Sequence, residues 1–486
     1  MKRLSYLGIV LIVAAISPTL YACQAVPPQI LMENPAVSDN VTSIPEMEMA
    51  QVATTVATPT VIDVDHEATR AVEAELLERH LAEQAARFAQ AAQAKLAGDP
   101  ELALLLATAG FCLSSQPDTH RQLVETVQTF YHFIDRPEEL AVLHGHVDEI
   151  ATAVFAPDGQ TILTASSDEM FRLWDREGRQ EAHFNGRVLS VFSPVSSAVF
   201  SADGQMILTA SGDRTARLWD KQGEQLAVFA GHEDMVVTAV FSPDDHAILT
   251  ASFDGTARLW NRQGEQLAIV ASHRTRDPYQ SWLWSAVFSP DGQSILTAGS
   301  DQTARLWDRE GNETAVLRGH VWWVRSANFS PDGQTIVTAG YDGTIRLWDR
   351  QGQPLTVWQG HEESASSALF SPDGDLILTT GTDQTARLWD RQGNPLAVWR
   401  GHSDWVVTAV FSPDEQTILT ASVDRTARLW PSYTPSFLAQ ETSRLIHRGF
   451  TEAECQQFFP DEPAACPQTL AQFRAFVSQH HCAAAP

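Results

Sequence analysis

The chain has 486 residues, more than one hydrophobic core normally supports, and 44% of them are hydrophobic, as expected of a globular protein. It carries 60 acidic and 33 basic side chains, which gives a formal net charge of −27. This acidic excess argues against binding to nucleic acid or to an anionic membrane surface, because phosphate recognition relies on basic side chains. No lysine stands in a Gly-Lys-Ser/Thr sequence, which excludes a P-loop.

Residues 1–22 have the pattern of an export signal. Lys2 and Arg3 precede an apolar run that is too short to span a membrane comfortably. The sequence that ends at Cys23 resembles the lipobox of bacterial lipoproteins, which implies that Cys23 becomes the lipidated first residue of a protein anchored in the cell envelope. The alternative is ordinary cleavage after Ala22, which would release a soluble periplasmic or secreted protein.

The next segment is expected to contain no packed element until residue 66. Residues 23–65 are rich in Pro, Thr, Val and Ala without a sustained period, which is typical of a flexible linker. From residue 66 to 136, apolar residues recur at helical spacing. A Gly-Asp-Pro sequence at 98–100 separates a first helix from a second, and a third is expected at about 119–134. We interpret these helices as a collar packed on the next domain, because short helices rely on tertiary packing.

One pattern occurs seven times between residues 137 and 430. Each copy ends at a Trp that follows an Asp by six residues and a Thr by ten, as in Thr338, Asp342 and Trp348. The Trp residues, spaced by 41 to 47 residues, are Trp174, Trp219, Trp260, Trp307, Trp348, Trp389 and Trp430. This period, with its Gly-His and Trp-Asp marks, resembles the WD40 repeat. The resemblance implies a mainly β fold, a seven-bladed propeller with one four-stranded blade per copy.

The recurring Thr, His and Asp side chains could be mistaken for a catalytic triad. Seven copies argue for a structural role instead, because an enzyme needs one site. The WD40 resemblance implies that His, Thr, Asp and Trp form a hydrogen-bonded chain in each blade, here called the tetrad. The five sets complete in the sequence are His146, Thr164, Asp168 and Trp174; His232, Thr250, Asp254 and Trp260; His320, Thr338, Asp342 and Trp348; His361, Thr379, Asp383 and Trp389; and His402, Thr420, Asp424 and Trp430.

Two copies depart from the tetrad pattern. In blade two Arg187 stands at the His position, so we expect this blade to be the least well tied. Blade four has Ser272-His273 at that place, followed by a longer loop.

The sequence also predicts how the ring closes. After Trp430 the pattern stops, so the seventh blade lacks its own outer strand. Residues 139–143 resemble the outer strand of blade six and precede the first Gly-His. We expect them to complete blade seven, which removes an open sheet edge.

Residues 431–486 are expected to form a short helical extension. The sequences around Cys455 and Cys466 resemble a cysteine-bearing extension found after bacterial propellers. Beside Cys23, four cysteines remain and allow three connectivities; outside the cytoplasm we favour the Cys455–Cys466 pair.

Function is expected where near-identical repeats differ. Two loop positions on one face of the propeller vary, the one just before the inner strand and the one just before the tetrad Asp. They place apolar residues on the upper rim, which makes them candidates for partner binding. The alternative is that some of them pack on each other or on the helical collar. These residues are Met235, Phe253, Trp282, Trp323, Tyr341 and Trp405.

We therefore expect a non-catalytic scaffold that binds a protein partner, with no cofactor, no metal, no nucleic acid and contact with the membrane only through the lipid anchor. The propeller is expected to be monomeric. Two alternatives stay open at this point. One is a propeller enzyme or small-ligand binder that uses the central opening, and the other is an assembly factor in which the collar and tail hold subunits together.

Overall fold

The computed structural model describes the propeller, part of the helical segment and a few residues of the tail. The described residues are 82, 85–95, 100–113, 120–127, 139–185, 194–273, 281–435, 437–438, 450, 454–455 and 466–467. The predicted signal, the linker, Cys23 and Arg187 lie outside this set, as does most of the predicted extension at 431–486.

The described strands form seven four-stranded antiparallel sheets, each of which is one blade. Blades one and two contain β2 (Ile150–Phe155), β3 (Ile162–Ser166), β4 (Met170–Trp174), β5 (Gln180–Asn185), β6 (Val195–Phe200), β7 (Met206–Ser211), β8 (Thr215–Asp220) and β9 (Gln225–Ala230). Blades three and four contain β10 (Val236–Phe241), β11 (Ala247–Ser252), β12 (Thr256–Asn261), β13 (Gln266–Ser272), β14 (Leu283–Phe288), β15 (Ser294–Gly299), β16 (Thr303–Asp308) and β17 (Glu313–Arg318). Blades five and six contain β18 (Val324–Phe329), β19 (Thr335–Gly340), β20 (Thr344–Asp349), β21 (Pro354–Gln359), β22 (Ala365–Phe370), β23 (Leu376–Gly381), β24 (Thr385–Asp390) and β25 (Pro395–Arg400). Blade seven contains β26 (Val406–Phe411), β27 (Thr417–Ser422), β28 (Thr426–Pro431) and β1 (Ala141–His144). The predicted seven-bladed, mainly β fold is confirmed.

Each blade folds for local reasons that the sequence repeats. In blade five, the hydroxyl of Ser330 donates to the Asp332 carboxylate and accepts the backbone N–H of Thr335 at 2.9 Å, which closes the turn between β18 and β19. Gly333 stands in that turn at a φ of 68°, a left-handed conformation that glycine adopts without steric cost. The flanking strands are rich in β-branched and apolar residues, which pack well on a pleated surface.

The first strand of each blade faces the propeller axis. These inner strands contact one another from blade to blade, and β2 contacts β26, so the ring is continuous. Hydrogen bonds join neighbouring blades beside the axis: Thr238 Oγ1 donates to the Trp284 carbonyl at 3.3 Å, and Asn328 Nδ2 donates to the Ala368 carbonyl at 2.8 Å.

The core lies between the blades rather than in one central cluster. Leu296, Leu306 and Leu317 of blade four pack with Ile336 and Trp348 of blade five, and all five are almost completely buried. Similar clusters recur around the ring, so each blade is stabilised mainly by its neighbours.

The outer strand of blade seven comes from the beginning of the propeller. Strand β1 pairs antiparallel with β28, and Ala141 lies opposite Leu429. The Leu140 N–H donates to the Leu429 carbonyl at 2.7 Å, and Arg428 Nη1 lies 2.6 Å from Glu139 Oε2. Blade seven therefore joins the two ends of the repeat region.

Three short helices precede the propeller within the described part of the chain: α1 (85–95), α2 (Pro100–Leu113) and α3 (120–127). Phe88, Leu105 and Leu123 share one cluster with Leu396 and Trp399 of β25. The helices thus pack against the outer side of blade six, on one sector of the propeller.

The segment after β28 also contacts this helical sector. His120 Nε2 donates to the Tyr433 carbonyl at 2.8 Å, and the Tyr433 ring stacks on Trp399 at a centroid distance of 5.7 Å. Among the described residues, no helix has the length and apolar character needed to cross a membrane.

Candidate functional site

The tetrad residues lie at hydrogen-bond distance in all five predicted sets. In blade five, His320 Nδ1 is 3.1 Å from Asp342 Oδ1, His320 Nε2 is 2.8 Å from Thr338 Oγ1, and Trp348 Nε1 donates to the same Thr338 oxygen at 2.9 Å. The other four sets have the same connections at 2.7 to 2.9 Å: His146, Thr164, Asp168 and Trp174; His232, Thr250, Asp254 and Trp260; His361, Thr379, Asp383 and Trp389; and His402, Thr420, Asp424 and Trp430. Every member is buried or nearly so, and no tetrad presents a reactive group to solvent.

The tetrad Asp also fixes the adjacent loop. Burial raises the pKa of the Asp342 carboxyl, but hydrogen bonds from His320 and Thr344 outweigh this effect and hold the pKa below its usual value. The Val321 N–H adds a further bond at 2.9 Å. The carboxylate therefore ties the start of the upper loop to the turn between β19 and β20.

Blade four corrects one expectation from the sequence. His273 Nδ1 lies 3.1 Å from Asp301, its Nε2 lies 2.8 Å from Thr297 Oγ1, and Trp307 Nε1 donates to Thr297 at 2.8 Å. This sixth tetrad was missed because extra residues separate His273 from Trp307. The signal was present, since His273 directly follows the outer strand β13 as the other histidines follow theirs.

Blade two keeps the Trp–Thr bond of the tetrad and an Arg–Asp pair that other blades also have. Trp219 Nε1 still donates to Thr209 Oγ1 at 2.9 Å, but Asp213 Oδ2 accepts from Arg217 Nη2 at 2.6 Å. The Asp therefore has a charged partner within its own blade. Whether blade two is the least stable blade stays a prediction.

The upper rim is the face that carries the tetrad turns and the loops entering the inner strands. Over blades three to five, aromatic rings lie in continuous contact there. We call this cluster the aromatic arc, and its members are Phe253, Trp282, Trp284, Trp322, Trp323 and Tyr341.

The arc is held by close ring contacts. Phe253 stacks on Trp282 and meets Trp284 edge-on, both at centroid distances of 4.8 Å. Trp284 stacks on Trp323 at 5.8 Å, and Trp323 lies 5.5 Å from Tyr341. Each such pair contributes about 0.5–1.5 kcal/mol beyond area burial, so the arc is preorganised.

Comparison with known families identifies the repeats. The model described as the IFT122 first beta-propeller matches residues 192–431, and the model described as the WD domain, G-beta repeat, matches residues 137–175. The chain carries WD40 repeats folded as a seven-bladed propeller. Nucleoporin Nup37 of Mus musculus is 39% identical over 59 residues, 12% of this chain. The aligned part spans only 18% of that relative's length.

On the WD40 rim, several of the predicted residues pack on each other, which is the alternative that the sequence left open. All six predicted rim residues are half-buried rather than freely exposed. Phe253, Trp282, Trp323 and Tyr341 belong to the arc, where they cover one another. Met235 lies on blade three, where its carbonyl accepts the backbone N–H of Phe253. Trp405 lies on blade seven and makes no ring contact with another described residue.

The sequence comparison missed Trp284, Trp322 and Arg325. Trp322 is 48% exposed at the edge of the arc. Trp284 and Arg325 stand at equivalent positions of inner strands β14 and β18, and the Arg325 guanidinium lies 4.4 Å from the Trp284 ring centroid. Aligning the second residue of every inner strand, rather than the loop positions alone, would have singled out both.

Opposite the arc, blades seven and one present acidic groups. Burial raises the pKa of the Glu149 carboxyl, and the nearby Asp148 and Asp404 charges raise it further against a hydrogen bond from Ser167. That bond joins Ser167 Oγ to Glu149 Oε1 at 3.2 Å. The WD40 opening is therefore aromatic on one side and acidic on the other.

The described part of the tail contains a disulfide. Cys455 and Cys466 are bonded, with their Cα atoms 5.6 Å apart, and both are buried in the cluster that includes Phe450. Within the described ranges, no three His, Cys, Asp or Glu side chains converge in a way that could hold a metal ion.

Proposed function

We propose that this protein is a non-catalytic scaffold that binds a protein partner through its upper rim. The observation that carries the proposal is the aromatic arc, because aromatic residues dominate the energy of protein interfaces. WD40 propellers generally bind protein partners, which supports the same reading.

The surroundings of the arc favour a protein partner over a small ligand. Val321 is 66% exposed and Trp322 is 48% exposed, so the apolar surface extends outward from the rings. Val147 is 76% exposed at the corresponding position of blade one. Met235 and Trp405 occupy rim positions on either side, and we include both in the proposed surface. A surface that spans several blades suits a second protein better than one small molecule.

We also propose that the protein is exported and anchored in the cell envelope through a lipid on Cys23. The charged start, the short apolar run and the lipobox-like sequence support this location. The Cys455–Cys466 bond supports it independently, since disulfides persist mainly in oxidising compartments.

Site-specific photo-crosslinking tests the proposed binding surface. We would place benzoylphenylalanine at position 322 in the arc or at position 267, an exposed residue of the outer strand β13, and irradiate cells that make the full chain. The Leu267 side chain is 57% exposed, so both positions reach solvent.

We expect a discrete cross-linked protein from position 322 that is absent from position 267. The same cross-linked protein should be weaker when Trp282 is also changed to Ser. If position 267 gives the same product, or position 322 gives none, the partner does not bind through the arc.

A further inference from the structure

The inner strands carry a bulge at the same place in every blade. The register with the second strand shifts there, which leaves one extra residue on each inner strand. Bulges re-aim side chains and are over-represented beside binding sites. The bulge residues are Ala151, Ser196, Val237, Trp284, Arg325, Ser366 and Val407, all half-buried around the opening.

Arg325 is the one charged residue among these seven described positions. No acidic side chain of the described residues lies within ion-pair distance of its guanidinium. The third strands of blades one to four each carry an arginine at the same repeated position. Each of these four arginines has an acidic partner, as Arg305 has in Asp301 at 2.6 Å. Arg325 therefore differs from these four arginines, whose charges are neutralised within their blades.

The surroundings of Arg325 hold its guanidinium in a fixed position beside the Trp284 ring. The Trp284 ring covers one face of the Arg325 guanidinium, with Cζ 4.4 Å from the ring centroid, and so fixes its orientation. The N–H donors at the edge of the guanidinium plane can still bind an anion. Burial lowers the pKa of Arg325, as expected for a cation with little solvent and no counter-ion. Trp284 Nε1 is itself buried and has no hydrogen-bond partner among the described residues, which adds a second donor to this part of the rim.

We propose that the upper end of the opening, between blades four and five, binds a carboxylate that lies next to an aromatic or large apolar group of the partner. Arg325 binds the anion through its planar donors, and Trp284 and Trp323 form the apolar wall. This inference rests on the proposed function, since it names the chemical feature that the scaffold recognises.

The charge of the whole molecule does not oppose this assignment. At physiological ionic strength, charges farther than about 8 Å are largely screened, so the −27 total weighs less than the guanidinium in contact. A single guanidinium matches the one charge of a carboxylate, whereas a doubly charged phosphate would keep one uncompensated negative charge. Arginine binds carboxylates in a bidentate geometry that lysine lacks.

Binding of small model compounds to the full chain tests the proposal by ligand-observed NMR. N-acetyl-L-phenylalanine presents a terminal carboxylate, and its neutral amide is the matched compound without charge. N-acetyl-Phe-Glu amide presents a side-chain carboxylate, with the Phe-Gln peptide as its neutral match. Phenyl phosphate supplies the dianion.

We expect at least one acid to bind about tenfold more tightly than its neutral match. Arg325→Gln should remove that preference, Arg325→Lys should keep part of it, and Arg318→Gln, which changes an exposed arginine of β17, should leave it intact. A preference for the terminal acid points to a chain end, and one for the Phe-Glu peptide points to an internal acidic residue. Melting temperatures of the variants verify folding.

Equal binding of the acids and their neutral matches overturns the proposal, as does an acid preference that survives Arg325→Gln. Tighter binding of phenyl phosphate contradicts the choice of carboxylate. These results are independent of cross-linking at position 322. The arc can therefore fail as a partner surface while the anion site stands, or the reverse.

Discussion

At the scale of single residues, the tetrad threonine joins the histidine to the tryptophan in each complete tetrad. Thr338 Oγ1 accepts the Trp348 indole N–H and lies 2.8 Å from His320 Nε2, which it can satisfy with its own proton. His320 Nδ1 then donates to Asp342. With these donors and acceptors, every polar side-chain group that links the tetrad has a partner, which accounts for the repetition of the tetrad in six blades.

Thr338→Val should remove the hydroxyl that both His320 and Trp348 contact. The indole and the imidazole each lose a hydrogen bond inside the protein, so the free energy of unfolding should fall by about 2–4 kcal/mol. Thr209→Val in blade two is the matched control, because within the described part of the chain Thr209 accepts the indole N–H of Trp219 but contacts no histidine. It should cost about half as much in urea unfolding. Equal losses would show that the histidine contributes nothing to the tetrad.

His120 gives a pH-dependent contribution to stability. Burial is the largest effect and lowers the pKa of His120 from its usual 6.5 to about 4, against the bond to the Tyr433 carbonyl and the Asp390 charge. Between pH 6.5 and 4 the unfolded chain binds a proton that the folded chain does not, so stability falls as the pH falls through this range. The loss should amount to about 3 kcal/mol at pH 4.

His120→Gln tests this assignment, because glutamine keeps a donor for the Tyr433 carbonyl and does not titrate. The buried His273 and His361 also have lowered pKa values, so the variant should keep part of the pH dependence. Denaturant titrations from pH 7 to 4 should show a shallower decline in the variant. An unchanged slope would mean that His120 is not the titrating group.

At the scale of elements, the sequence predicted the blades better than the rim. The spacing of Trp, Asp and Thr locates every blade because each repeat must meet the same neighbours. The sequence pattern could not show that Trp282 and Trp323 cover one another, since this contact joins two neighbouring repeats. The sequence pattern also made blade four an exception, whereas His273 keeps the tetrad contacts to Asp301 and Thr297.

Strand β1 should be essential to the stability of blade seven. Leu143 is completely buried in the cluster between blades seven and one, so Leu143→Asp should unseat β1 and expose the edge of β28. We expect aggregation and a melting temperature lower by several degrees. Leu140→Asp is the matched control, because Leu140 is 40% exposed, and it should have little effect. Similar behaviour of the two variants would show that β1 does not hold the ring.

At the scale of the whole molecule, the described propeller carries two separate features, the helical sector and the aromatic arc. The helices and the segment after β28 occupy the outer side of blade six, while the arc lies over blades three to five. The aromatic arc and the helical sector are therefore on different parts of the propeller. A partner at the rim can be held without disturbing the helices.

Cys23→Ser should abolish membrane anchoring in cells. Without the thiol no lipid can be attached, so the protein should leave the detergent phase in Triton X-114 partition while the propeller stays folded. Ala22→Ser, next to the modified residue, serves as a control that keeps the thiol. A Cys23→Ser protein that stays in the detergent phase would exclude lipidation at this residue.

The most direct test of the central claim is amide hydrogen exchange on the full chain, alone and with the partner identified by cross-linking. If the partner binds at the aromatic arc, exchange should be slower at residues 281–285, 321–325 and 341–343, with little change in α1–α3 or the outer strands. Protection confined to residues 85–127 or to the segment after 431, with the arc unchanged, would contradict it.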